Sequence, residues 1–111
     1  MREQTMKLLR IYTDESAYIG DRRVFEYVAS SARDNGLAGV TVLEALLGFG
    51  HSAQIRRRHV LENDRAVVIE IADTDTKLRA FAISLEQVTD IGLMTLEAIE
   101  IVGGKSRRCL P

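Results

Sequence analysis

The feature that most constrains the fold of this chain is the order in which two apolar patterns follow one another. Short runs rich in branched and aromatic residues, typical of strands, alternate with two segments whose apolar residues recur every three or four positions, as in helices. The predicted order is strand, helix, strand, strand, helix, strand. The strands are predicted at Met6–Thr13, Gly39–Leu47, Arg65–Ala72 and Leu93–Val102, and the helices at Asp21–Asn35 and from Asp73 or Thr74 to Gln87.

The ends of both predicted helices carry recognisable signals. Asp21 is expected to cap the first helix, and Gly36 stands where a left-handed residue commonly ends one. Asp73 or Thr74 is expected to cap the second helix, and Gly92 separates it from the last strand. These signals support the predicted boundaries independently of the apolar pattern.

This order predicts an α+β fold of the ferredoxin-like type, βαββαβ. One antiparallel four-stranded sheet would carry both helices on the same face and leave its other face uncovered. A face that meets water should be polar, yet Leu8 and Tyr12 oppose Leu9 on the first strand, and Val68 opposes Ile69 on the third. Burying each such side chain is worth roughly 1.5–3 kcal/mol. The pattern predicts an oligomer that packs its open faces together, and the alternative is a monomer with an unusually apolar surface.

Length and charge narrow the class of protein. At 111 residues the chain is expected to form one domain, with an extension at 1–5, the folded domain at 6–103 and a loose basic tail at 104–111. Fifteen basic against sixteen acidic residues argue against nucleic-acid binding, and no apolar run predicts membrane insertion. Cys109 is the single cysteine, so we expect no internal disulfide and a cytoplasmic location.

The connection after the second predicted strand carries the chemistry. Gly48-Phe49-Gly50 permits a backbone shape in which N–H groups face an anion, and the cations of Arg56-Arg57-Arg58 follow. We interpret this segment as a phosphate-binding turn that leads into a recognition loop ending at Arg65. A long solvated hairpin connection, 48–65, is the alternative.

The chain resembles the PII signalling proteins. It is more similar to the PII-like domain-of-unknown-function family numbered one hundred and ninety, over nearly all of residues 6–102. The resemblance rests on the order of several short pieces. They are Lys7-Leu8-Leu9-Arg10-Ile11-Tyr12, Gly39-Val40-Thr41-Val42, Gly48-Phe49-Gly50, Val68-Ile69-Glu70-Ile71 and Gly92-Leu93-Met94-Thr95-Leu96-Glu97.

The resemblance implies a homotrimer with its sheets turned inward and an adenine nucleotide, or a similar small anion, bound between subunits. The loop 48–65 would then act on a partner protein, such as a membrane transporter. The implied ligand-binding residues are Thr41, Gly48, Phe49, Gly50, His51 and Ser52, and the implied partner-binding residues are Gln54, Arg56, Arg57, Arg58 and His59.

Three departures from the PII pattern bear on the ligand. Ser52 stands where PII proteins have a Gln, and one extra residue separates Thr41 from Gly48. PII proteins also hold phosphates with a Gly- and Lys-bearing loop before the last strand, whereas Val88–Gly92 contains no basic residue and includes Asp90. A smaller or less charged adenine ligand therefore fits as well as a triphosphate.

Other chemistries have weaker support in the sequence. His51 and His59 are the only histidines, and we assign them no metal, although an oligomeric metal-binding or structural module without nucleotide stays open. An acylphosphatase would need an Arg directly after the first strand, where this chain has the acidic Asp14–Tyr18. We therefore predict no enzyme and assign no catalytic residue.

The charges of the first strand carry one further prediction. Lys7 and Arg10 should lie on opposite faces of the strand because side chains alternate along it. At least one of them is predicted to reach a cleft or to pair with Glu70 or Glu97.

Overall fold

The structure is a computed structural model that describes residues 5–45, 47–48, 56–57, 66–88 and 91–104. Predictions on residues 1–4, and on the tail from 105 onward, lie outside the described residues. The elements in chain order are β1 (Met6–Asp14), β2 (Tyr18–Ile19), β3 (Arg22–Arg23), α1 (Val24–Asp34), β4 (Thr41–Glu44), β5 (Leu47–Gly48), β6 (Arg56–Arg57), β7 (Ala66–Thr74), α2 (Asp75–Glu86) and β8 (Leu93–Ala98).

Four strands form one antiparallel sheet in the spatial order β4-β7-β1-β8. The central strand β1 pairs along its full length with β7, from Met6 opposite Thr74 to Asp14 opposite Ala66. It also pairs with β8, while β4 pairs with the other side of β7. This is the predicted ferredoxin-like α+β arrangement, which the structure confirms.

Both helices cover the same face of this sheet. Val24, Val28 and Ala32 of α1 are buried, as are Leu78, Phe81 and Leu85 of α2, so each helix directs its apolar stripe inward. The strand side chains that they cover are almost inaccessible to water. They are Leu9 and Ile11 of β1 and Val67, Ile69 and Ile71 of β7, each at most 4% exposed.

The first helix begins later than predicted. Residues 18–23 form a small hairpin in which Tyr18 pairs with Arg23, around a turn where Gly20 has φ of 63°. This hairpin takes up Asp21, so α1 starts at Val24 with Arg23 as its N-cap residue and no side-chain cap. The prediction that Asp21 caps the helix is therefore wrong, because the hairpin holds that residue outside the helix.

The predicted helix ends are otherwise confirmed. Gly36 has φ of 74°, and its N–H donates to the Arg33 carbonyl while the Leu37 N–H donates to the Ala32 carbonyl. This is the Schellman arrangement that a left-handed glycine permits. At the start of α2 the Thr74 hydroxyl accepts a hydrogen bond from the Lys77 N–H.

Two predicted strands end earlier in the structure because the described parts of their partners end. Along β4 the ladder stops where β7 begins, with Glu44 opposite Val67 and the Ala45 N–H donating to Ala66. On the opposite side of the sheet, β8 ends at Ala98, and the Ile99 N–H makes the last bond to Met6, the first residue of β1. The predicted strand Leu93–Val102 is therefore longer than the observed β8 (Leu93–Ala98).

Candidate functional site

The uncovered face of the sheet carries two parallel rows of side chains, each crossing all four strands. The strand register aligns Leu43, Val68, Tyr12 and Leu93, which we name the apolar row. The same register aligns Thr41, Glu70, Arg10 and Thr95, which we name the polar row. Each row is about 14 Å long, and the rows lie about 7 Å apart, since alternate residues of a strand share a face.

The apolar row is largely open to water. Leu93 is 65% exposed, Leu43 46% and Tyr12 41%, whereas Val68, in the middle of the sheet, is half-buried. Exposed apolar side chains scattered singly are ordinary, whereas a contiguous row of them is typical of an interaction surface. The predicted apolar character of both sheet faces is thus present in the described residues.

Arg10 is the centre of a charged cluster on this face. Its Nε lies 3.1 Å from a carboxylate oxygen of Glu70, and its Nη1 donates to Glu97. Hydrogen bonding to Glu70 and the negative charge of Glu97 raise the pKa of the Arg10 guanidinium, partial burial opposing them. The prediction that Lys7 or Arg10 pairs with Glu70 or Glu97 is confirmed for Arg10. Lys7 lies 3.7 Å from Asp75, at the start of α2.

The predicted ligand turn and the predicted partner loop meet in one backbone ladder. β5 pairs with β6, so that Gly48 lies opposite Arg56 and Leu47 opposite Arg57. A residue of the predicted ligand turn and a residue of the predicted partner loop are therefore joined at the backbone. Phe49, Gly50, His51, Ser52, Gln54, Arg58 and His59 lie outside the described residues.

Thr41 is the first residue of β4 and lies at the edge of the open face. Thr41 is exposed and in register with Glu70. Glu70 therefore lies between Thr41 and Arg10 in the polar row. The backbone of Thr41 leads within the same segment of chain to the β5–β6 ladder. The described part of the site thus consists of Thr41, the ladder and the charged cluster.

Asp73 fixes the approach to β4. Its side chain is 1% exposed, and its two carboxylate oxygens accept from the Ala38 N–H at 2.9 Å and the Thr74 N–H at 2.7 Å. A buried carboxylate needs such partners, because removing it from water is costly. Asp73 therefore ties the segment between α1 and β4 to the start of α2. Sequence reasoning treated Asp73 only as a candidate cap.

Other features of the site left only weak signals in the sequence. The hairpin of β2 and β3 places Arg23 over the Tyr18 ring, 5.6 Å from its centroid, and within 3.5 Å of Glu15. Gly20 was the available signal, since a Gly between two short branched or charged pairs favours a tight turn.

Among residues 5–45, 66–88 and 91–104, no three His, Cys, Asp or Glu side chains group as metal ligands would. Neither described helix is long and apolar enough to span a bilayer.

The fold and its open face define an α+β protein with PII-like architecture. The chain belongs to the DUF190 family, described as uncharacterized ACR, whose family model matches residues 6–101. A UPF0166 protein of Aquifex aeolicus (strain VF5) is 35% identical over 106 residues, covering 92% of this chain and 98% of the relative. The resemblance seen in the sequence is confirmed.

Solved structures share the fold at low sequence identity. CPII of Thiomonas intermedia K12, solved with ADP, AMP and acetate, has a TM-score of 0.65 at 15% identity and covers 98% of both chains. The Bacillus subtilis GlnK–ATP complex has a TM-score of 0.56 at 15% identity, covering 86% of this chain and 84% of GlnK. CutA1 of Ehrlichia chaffeensis, a divalent ion tolerance protein, has a TM-score of 0.59 at 9% identity, covering 97% of this chain and 92% of CutA1.

Proposed function

We propose that this chain is a PII-like regulatory protein that self-associates through its open sheet face and binds an adenine nucleotide or a similar small anion. The ligand would contact Thr41 and the turn from Gly48 to Ser52. The loop 48–65 would bind a partner protein, and the bound ligand would change that interaction. The observation that carries the proposal is the pairing of Gly48 with Arg56 on a PII-like fold.

This pairing supports an anion site through simple electrostatics. A glycine leaves its backbone N–H accessible to an incoming oxygen, and an arginine supplies a permanent positive charge with a planar set of donors. The backbone pairing sets the two residues opposite one another before any ligand arrives. A pre-organised site binds more tightly, because less ordering is required at the moment of binding.

The surrounding charge favours a ligand with few phosphates. Val88 and residues 91–92 flank the connection before β8, and the sequence from Val88 to Gly92 contains Asp90 but no basic residue. An acid near a phosphate weakens its binding, so each added phosphate would gain little on this side. AMP and ADP are therefore the preferred candidates, consistent with CPII having been solved with both.

The direct test is calorimetric titration of the purified full-length chain with AMP, ADP and ATP, with GTP as the base-specificity control. Arg56→Ala should weaken adenine-nucleotide binding about tenfold to a hundredfold, as for loss of a hydrogen bond from a charged donor worth about 1.5–3 kcal/mol. Arg33→Ala is the matched control, because Arg33 is an exposed arginine on α1. Absence of heat and of thermal stabilisation with every adenine nucleotide at millimolar concentration would overturn the ligand assignment.

The regulatory part of the proposal concerns the loop 48–65. Three consecutive arginines, Arg56 to Arg58, suit a partner with an acidic surface, such as the cytoplasmic side of a transporter. Association with such a partner should weaken as salt rises and should change when the nucleotide binds. The proposal is of a cytoplasmic binding protein without catalysis, and turnover of an acyl phosphate by the purified chain would contradict it.

A second candidate is an oligomeric metal-binding or structural module without nucleotide. The structural similarity to CutA1, a divalent ion tolerance protein, favours it. It predicts bound metal in the purified chain that is lost in the double variant His51→Ala, His59→Ala. An unchanged metal content in that variant, together with nucleotide binding, would reject it.

A further inference from the structure

The open face holds a charge imbalance that self-association must resolve, and this inference rests on the self-association proposed above. The charged cluster contains one guanidinium, Arg10, and two carboxylates, Glu70 and Glu97. The cluster therefore carries one surplus negative charge in each copy. It lies in and beside the polar row, about 7 Å from the apolar row that a second copy would cover.

No other described residue on this face offsets the surplus. β1 adds Leu8, Tyr12 and a further acid, Asp14, and β4 contributes Thr41 and Leu43, with Glu44 in register with the covered residue Val67. Besides Glu97, β8 places Leu93 and Thr95 on the face. Lys7 shares the covered face with Leu9, where it contacts Asp75. Arg10 is thus the sole cation among the described residues of the open face.

In the separate chain, hydration stabilises the surplus negative charge of the cluster. The side chains of Arg10, Glu70 and Glu97 are 33%, 29% and 53% exposed, so the carboxylate of Glu97 in particular keeps much of its hydration. Covering the face removes that water. A buried carboxylate without a cation of its own is costly, and burial favours its protonated form.

Because every copy carries the same cluster, exchanging ion-pair partners between copies cannot neutralise the surplus negative charge. When copies associate through the same face, each brings one Arg10 and two carboxylates, so the ratio stays at one cation to two anions. Arg10 of one copy can contact Glu97 of its neighbour, but this leaves another carboxylate unpaired. Among the described residues of the face, the remaining solution is a proton shared by Glu70 and Glu97.

We infer that self-association through the open sheet face takes up a proton at the Glu70–Arg10–Glu97 cluster, which makes assembly pH-dependent. The assembled state then binds more protons than the separate chains. By linkage, association strengthens as pH falls from neutral toward the ordinary range of glutamate, about 4.3. It weakens as pH rises, by up to about tenfold in the dissociation constant per pH unit for each proton taken up.

The test is sedimentation of the full-length chain between about pH 5 and about pH 8 at constant ionic strength. Glu97→Gln leaves one cation with one anion, so it should associate more tightly than wild type near pH 8 and lose most of the pH dependence. Glu70→Gln should do the same. The double variant leaves Arg10 unpaired, so its association should be weaker than that of either single variant. Glu86→Gln removes a carboxylate from the exposed end of α2, outside the face, and should behave as wild type.

The possible results separate this inference from the proposal beneath it. A chain that is monomeric at every pH overturns both self-association and its coupling to protons. An oligomer whose dissociation constant does not change with pH overturns the coupling alone. Weaker association of Glu97→Gln at every pH would show that Glu97 pairs with a cation from the neighbouring copy, which also overturns it. Thermal melts of each variant confirm that the separate chain still folds.

Discussion

The two faces of the sheet are built from the same strands and end in opposite conditions. On β1 and β7, Ile11 and Ile69 are inaccessible to water, while their strand neighbours Tyr12 and Val68 are exposed or half-buried. The covered face is completed by helices of the same chain. The open face is equally apolar along one row, yet nothing within the described residues covers it. The contrast supports the proposal that another copy of the chain covers the open face.

The largest expected effect contrasts these two faces at adjacent residues. Ile69→Ala should lower the free energy of unfolding by about 2–5 kcal/mol, because it leaves a cavity among residues that cannot collapse fully. Val68→Ala should lower it by about 0.5–1 kcal/mol when the chain is dilute enough to be dissociated. Urea denaturation followed by circular dichroism measures both. Equal losses in dilute solution would break the comparison.

The next effect concerns what covers the open face. Leu93→Asp replaces the most exposed member of the apolar row and adds a negative charge there, so it should weaken self-association by about 1.5–3 kcal/mol, or more than tenfold. Ile83→Asp is the matched control, since Ile83 is 57% exposed on α2 in the helical layer. Light scattering at several concentrations distinguishes them. If Ile83→Asp dissociates the oligomer and Leu93→Asp does not, the helical layer is the interface.

A smaller effect is expected where a polar group enters the covered face. Asp73→Asn replaces one accepting oxygen with an amide that cannot satisfy both the Ala38 and Thr74 N–H groups, and should cost about 1–3 kcal/mol of stability. Asp34→Asn is its surface control, because Asp34 is exposed at the end of α1. Denaturation curves measure stability, and sedimentation should show self-association unaltered in folded Asp73→Asn. Equal stability of the two variants would remove the role assigned to Asp73.

The smallest effect belongs to a helix cap. Thr74→Ala removes the hydroxyl that accepts from Lys77 and should cost about 1 kcal/mol. Thr76→Ala, at an exposed position of the same helix, should change stability by less than about 0.5 kcal/mol. A thermal melt of both variants is sufficient. A loss that appears equally in both would show that helix propensity, not the cap, is responsible.

The sequence predicted the fold because its apolar periods are unambiguous. Ile69 and Val68 alternate in a nine-residue strand, and Leu78, Phe81 and Leu85 recur at helical spacing. Strand ends were predicted less well, because they depend on where the partner strand stops. Val102 reads as strand by composition, but none of the described residues pairs with the chain after the Ile99–Met6 bond. The hairpin before α1 was missed because a pair of two-residue strands has no measurable period.

The site was predictable in part. The alternation of Arg10 with Leu9 and Ile11 places Arg10 on the open face, but only the register shows that it meets both Glu70 and Glu97. The role of Asp73 depends on a contact with Ala38, 35 residues away along the chain, which no local pattern reveals. The same is true of the pairing between Gly48 and Arg56. Contacts distant in sequence are fixed by packing, so residue spacing alone does not predict them.

The position of β1 has a consequence for how the chain is made. β1 precedes the other described strands in the chain, and both of its neighbours, β7 and β8, lie beyond residue 65. At about 5–20 residues per second, its two edges stay unpaired for several seconds during synthesis. An apolar strand with two free edges is a template for pairing with other chains. The nascent chain is therefore most exposed to aggregation before β7 emerges, and chaperone binding to β1 should be concentrated in that interval.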